Sequence, residues 1–256
     1  SLGNSPDPIV LIDKYGADGV RMGMLLSAPA GNDILFKEDL CKQGANFCNK
    51  IWNAFRLVQG WQAADIDQPL SSAKAIDWMQ AKVRAEVAEI DDLYSKYRLN
   101  EALMTAFKLF TDEFSGWYLE MVKPAYQAPI DRKTLQATLQ IFEDLMKVIH
   151  PFMPFITEEI YQHITERAEG ESIMTSVLTL EAPNQADAAL LASMEQAKQI
   201  ISGVRAIRQS KNIAPREEMT LEVVETEGAN QSEAHDEAIC QIIKKMATLE
   251  AVHFVT

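Results

Sequence analysis

Metal and disulfide chemistry have little to work with in this chain. Its three cysteines, Cys41, Cys48 and Cys240, include no Cys-x-x-C pair, and its four histidines lie far apart in sequence, so neither a zinc site nor a disulfide framework is expected. Cys41 and Cys48 stand seven residues apart, a helix-core spacing. No run approaches the roughly 18 consecutive apolar residues of a membrane span, and the charged and apolar segments of a secretion signal are missing. The expected location is therefore the cytoplasm, away from membranes. There is no glycine-rich phosphate loop, nucleophile elbow or metal-helix pattern, and no internal repeat or low-complexity tract. An initiator methionine is lacking too, so the chain reads as a piece of something longer.

Bases are also scarce. Lys and Arg number 24 against 37 Asp and Glu, and the net charge of −13 speaks against a nucleic-acid partner, because phosphate affinity comes from clustered cations. The distribution says more than the sum. Leu40 to Ala64 holds no Asp or Glu, and a second acid-free window, Gln196 to Arg216, carries Lys198, Arg205, Arg208, Lys211 and Arg216. Such windows fit either an RNA-facing surface or two helices that are acid-poor by accident. At 256 residues, 47% hydrophobic and 24% charged, the chain has an ordinary globular composition with room for one large core or two smaller ones.

Periodicity predicts a mainly α protein. Asp7-Pro8 and Gly16 bracket a short helix from Pro8 to Tyr15, and a second follows over Ala17 to Ser27. Ala28 to Asp33 is a loop. Long helices are expected over Lys37 to Gly60, Ser72 to Tyr97 with Ser72 as cap, Asn100 to Val122, and Asp131 to Ile149, then a short one over Pro154 to Thr165. Short connections between them imply an antiparallel helical bundle. From Glu171 the texture changes to a small α+β unit: an ambiguous Ile173 to Leu180, a helix over Ala186 to Gln209, a strand over Met219 to Glu225, a helix over Ser232 to Met246, and a strand-like Val252 to Val255. The expected divisions are a linking segment at 1–36, the bundle at 37–170 and the α+β unit at 171–256.

One helix face stands out. Lys42, Asn46, Asn49, Asn53 and Arg56 fall within about 80° of one another on the Lys37 to Gly60 helix, opposite its apolar stripe, and Lys50 borders them. Amides can pair with base edges, and Lys and Arg suit phosphates and stacking, so the face is a candidate RNA surface as well as a possible solvated one. Trp117 occupies a seam position with Leu103, Phe107, Phe110, Phe114 and Met121, which makes it core, while Tyr118 lies off that stripe. His150 at a helix end is expected to meet terminal carbonyls. Asp91-Asp92, Asp112-Glu113 and Glu158-Glu159 project in different directions and read as solvated faces.

Ser1 to Pro8, Ser-Leu-Gly-Asn-Ser-Pro-Asp-Pro, resembles the end of the KMSKS signature of class I aminoacyl-tRNA synthetases, with Ser1 its last residue. Tyr15 to Arg21, Ala28 to Phe36, Asn46 to Asn53, Trp117 to Pro124 and His150 to Glu159 resemble, in order, landmarks of the valine, isoleucine and leucine subgroup. The valine type fits best, an isoleucine type being the narrower alternative and a helical protein-interaction module the alternative from another class. The resemblance implies that the intact enzyme attaches valine to tRNA using ATP and Mg²⁺, that its catalytic lysines lie before Ser1, and that this piece alone has no catalytic residue, no metal, no cofactor and no editing activity. It implies an anticodon-binding domain, acting as a monomer, whose partner is the anticodon stem-loop of a valine tRNA and not DNA. Lys42, Asn46, Asn49, Lys50, Asn53 and Arg56 are the residues expected to meet it, and Ser1 to Phe36 would relay tRNA position by rigid packing.

Overall fold

The computed structural model describes residues 6–28, 36–214, 216–224 and 236–255. Among them the helices follow as α1 (Pro8–Leu26), α2 (Glu38–Gln59), α3 (Leu70–Ser95), α4 (Leu99–Lys108), a π-helical segment (Leu109–Tyr118), α5 (Leu119–Val122), α6 (Arg132–Ile149), α7 (Pro154–Ile164), α8 (Gln185–Lys211) and α9 (Glu237–Ala247). Short strands β1 (Ala63–Ala64) and β2 (Ile130–Asp131) pair in parallel, and so do β3 (Met219–Val224) and β4 (Leu249–Val255). The fold is mainly α, a helical bundle followed by a small α+β unit. None of the described helices is long and apolar enough to cross a membrane.

Local chemistry sets most of these boundaries. Asp7 accepts from the Ile9 N–H at 2.9 Å, and Gly16, at φ 75 and ψ 159, breaks α1 into two short helices where the sequence places a terminating glycine. Asp131 caps α6 through the Thr134 N–H at 2.8 Å, and Asn184 and Asp187 form a reciprocal capping box on α8. Ser72 is not a cap: α3 begins at Leu70, behind Pro69, and Ser72 is buried inside it. Ile173 to Leu180 resolves into a 3₁₀ turn over Ile173–Thr175 followed by irregular chain. The expected turn after Ala28, the signature remnant at Ser1 and Pro215 lie outside the described residues, as do Glu225 and the first four residues of the Ser232 to Met246 helix.

The core of the bundle is aromatic. Phe114 meets Phe142 edge to face at 5.2 Å between ring centres, and Phe110 meets Phe47 and Phe142, both at 5.7 Å. The hydrophobic cluster continues without a break from Met22 to Leu249, so the α+β unit shares the core of the bundle. The second half of α1 lies on α2 at backbone contact. A β-carbon at Gly44 would sit 2.7 Å from the Gly19 carbonyl oxygen, and one at Gly23 would sit 2.5 Å from the Cys41 Sγ. Polar ties fix α1 further. The Asp18 carboxylate accepts from Phe155 and Ile156 N–H at the start of α7 (3.2 and 2.7 Å), Arg21 donates to the Pro151 and Phe152 carbonyls (both 3.2 Å), and Asn100 donates to the Leu26 carbonyl (2.8 Å).

The rod from α4 to α5 departs from its expected packing. A continuous α-helix would bury Trp117 and leave Tyr118 off the stripe, but Tyr118 is fully buried, its hydroxyl 2.8 Å from Thr138 Oγ1, and Trp117 is only partly covered. The cause is the π segment. Its wider turn turns the helix less per residue than 100°, which advances the buried seam from position 117 to 118. His150 also differs from expectation, since its Nδ1 meets the Thr157 hydroxyl at 2.7 Å and not a terminal carbonyl.

Candidate nucleic-acid interface

α2 shows two unlike faces because its apolar residues recur at three- and four-residue spacing. Cys41, Phe47, Ile51, Phe55 and Val58 are buried, and Lys42, Asn46, Asn49, Lys50, Asn53 and Arg56 are all exposed on the other side. The six predicted residues are therefore neither sealed nor scattered. They line a row of four adjoining surface hollows that share lining residues, together a shallow trough. A stretch of about 650 Å³ between Lys14, Tyr15, Glu38 and Lys42 runs into one of about 520 Å³ over Lys42, Asn46 and Lys50, which continues into one of about 400 Å³ over Asn46, Asn49 and Asn53. A fourth stretch, about 530 Å³, begins at Arg56 and Leu57 and ends among Trp61, Gln62 and the Lys123 to Ala128 loop.

The opposite wall comes from the π segment and α5. It adds carboxylates to the Glu38 and Asp39 that the first turn of α2 already brings to the trough: Asp112 lies with Asp39, Lys42 and Lys50 along the second stretch, and Glu120 lines the third. The expectation of a carboxylate-free face is corrected on both sides: the first turn of α2 puts Asp39 beside Lys42, and the opposite wall supplies Asp112 and Glu120. The two wall acids are partly committed, Asp112 accepting from the Thr111 hydroxyl at 2.8 Å and Glu120 pairing with Lys123 at 2.6 Å. The α2 cations are not. Lys42, Lys50 and Arg56 form no ion pair among the described residues; Lys50 donates only to the Thr111 carbonyl, at 3.2 Å. Phe47 and Phe107, with ring centres 4.8 Å apart, form the floor beneath Lys42 and Asn46.

Three bases of the second acid-free window, Lys198, Arg205 and Arg208, serve packing. Lys198 pairs with Glu113 at 2.9 Å and lies over Trp117 at 5.4 Å, with Arg205 over the same ring at 5.2 Å. Arg208 is buried, donating to the Ala214, Ala247 and Thr248 carbonyls. Lys198 ties α8 to the bundle through Glu113, which is its partner and not a solvated acid, while Arg205 and Arg208 tie α8 to the carbonyls at the C-terminal end of α9.

Two residues of the trough escaped the sequence reading. Tyr126 and Trp61 lie in loops with no periodicity to mark them. The available signal was the setting of Tyr126, an aromatic between Lys123-Pro124 and Gln127, where turn residues predict exposure. No His, Cys, Asp or Glu cluster suited to a metal occurs among the described residues.

Comparison with known proteins places the chain in a family. A family described as the anticodon-binding domain of tRNA ligase matches residues 77–225, which include the wall of the trough from Asp112 to Ala128. Curated relatives extend the likeness to α1 and α2. The chain is 54% identical over 252 residues to a valine–tRNA ligase of Phocaeicola vulgatus (98% of this chain, 28% of that protein) and 53% identical over 258 residues to one of Bacteroides thetaiotaomicron (100% and 28%). It is 34% identical over 261 residues to one of Fusobacterium nucleatum (98% and 29%). The chain thus spans 28–29% of the length of these relatives. A LeuRS–tRNA–LeuAMS complex of Agrobacterium radiobacter K84 aligns over 74% of this chain and 22% of its own, at 16% identity and a TM-score of 0.42, a slight likeness.

Proposed function

This chain belongs to the family of tRNA-ligase anticodon-binding domains, and we propose that it docks the anticodon arm of a valine tRNA as the arm-binding part of a valine–tRNA ligase. The observation that carries this reading is the trough along α2: three amides and three cations, all exposed, with no ion pair among the described residues to occupy the cations. Asn46, Asn49 and Asn53 offer both donor and acceptor, which suits the edges of splayed, unpaired bases. Lys42, Lys50 and Arg56 suit the adjoining phosphates. The rest of the surface, in a chain of net charge −13, repels RNA that does not fit this strip. Valine anticodons end in A and C, and these are the bases we assign to the α2 face.

In this reading the activation of valine with ATP and Mg²⁺ belongs to the part of the ligase outside this chain. α1 supports it by rigid attachment, since glycine contacts and the Asp18 cap leave α2 and α7 little freedom relative to α1. The working location is the cytosol and the working state a monomer.

The test is direct binding of a valine-tRNA anticodon stem-loop and of the same stem-loop with its last two anticodon bases changed. The cognate arm should bind at least about tenfold more tightly, in line with roughly 1–3 kcal/mol for a well-made base contact. Asn49→Ala with Arg56→Ala should remove most of that difference. Equal affinity of the parent chain for both arms would end the base-reading assignment.

A further inference from the structure

At the C-terminal end of α2 the trough changes character. Its last stretch is lined by Arg56, Trp61, Lys123 and Tyr126 and includes no carboxylate, whereas each of the other three includes at least one. Tyr126 is 93% exposed, so both faces of its ring are open. The turn that holds it out is closed by a 2.9 Å hydrogen bond from the Ala128 N–H to the Ala125 carbonyl, and it places Gln127 at φ 62, a left-handed conformation that strains a residue with a side chain. Across the stretch stands the half-buried Trp61. The two loops are held together by the backbone: β1 pairs with β2 through Ala63 with Ile130 and Ala64 with Asp131, and the Ile130 N–H donates to the Gln62 carbonyl at 2.9 Å. A bare ring, an indole and an unpaired guanidinium in an acid-free groove are the parts of a nucleobase-stacking site.

We propose that Tyr126 and Trp61 form a stacking platform for one unpaired base of a single-stranded RNA loop, with Arg56 reaching the adjoining phosphate. This rests on the anticodon-arm function above and divides its labour. Stacking accepts any base, because every base has a π-face, so the platform holds the loop open while the amides of α2 discriminate.

The test uses the full chain, its Tyr126→Ala and Tyr126→Phe variants, and the cognate and anticodon-changed stem-loops with 2-aminopurine placed at each loop purine in turn. Tyr126 is exposed, so its replacement leaves the fold intact. Tyr126→Ala should weaken both arms by the same factor, roughly tenfold, should abolish the stacking quench of one 2-aminopurine, and should leave the salt dependence unchanged. Tyr126→Phe should behave as the parent. Discrimination between arms that persists while Tyr126→Ala changes neither affinity nor quench overturns the platform alone. Equal binding of both arms with a Tyr126-dependent quench removes the base-reading function and keeps the platform, and binding of neither arm removes both.

Discussion

Glu143 is buried with its carboxylate held between Lys147 at 2.9 Å and Arg167 at 2.6 Å. Burial alone would raise its pKa, but the hydrogen bonds from Lys147 and Arg167 outweigh it and hold the carboxyl below its usual 4.5. A lowered folded value means that the stabilisation is present above pH 4.5 and is lost as pH falls through the folded pKa. Glu143→Gln should therefore cost about 2 kcal/mol at neutral pH, and urea titrations at falling pH should show the gap to the parent closing in acid. A gap that stays constant would mean that packing, not charge, is what the residue supplies. At this scale the sequence was only partly legible. Exposure of Lys42, Asn46, Asn49, Lys50, Asn53 and Arg56 followed from one helical period, because that period is local. The exchange of Trp117 for Tyr118 did not, because a π turn has no signature in hydrophobic spacing.

Helices were legible because caps, prolines and apolar stripes are written within each element. How elements meet was not. The close crossing of α1 on α2 depends on glycines in two different helices, and nothing in either stretch alone says that they face each other. Gly44→Ala forces a methyl against the Gly19 backbone and should destabilise by about 2 kcal/mol. Gly203→Ala in α8 meets nothing within 4 Å and should be neutral or stabilising by up to about 1 kcal/mol. Thermal unfolding of the pair checks this, and equal Tm values would refute a backbone-to-backbone crossing. The carboxylates opposite α2 belong to the same class: Asp112 and Glu120 reach the trough only through tertiary packing.

Taken whole, the molecule sets an acidic body against a short cationic strip, and that contrast predicts a shallow salt dependence. If Lys42, Lys50 and Arg56 each neutralise one phosphate, the slope of log K against log salt for the arm should be about −2, at roughly 0.7 per contact with unpaired RNA. Removing Lys42 or Lys50 should flatten it by about 0.7 each. A slope steeper than about −5 would require a cationic surface elsewhere on the chain. Net charge alone pointed away from RNA, and only its distribution along the chain pointed back; the second basic window, three of whose bases hold α8, shows why distribution alone is also insufficient.

The β1–β2 pairing has one more implication. Because main-chain atoms set the gap between the Trp61 and Tyr126 loops, the frame tolerates turnover of the residues it displays. Descendants of this sequence could swap either ring for another planar group and retune which loops they grip, with no change to the scaffold around them.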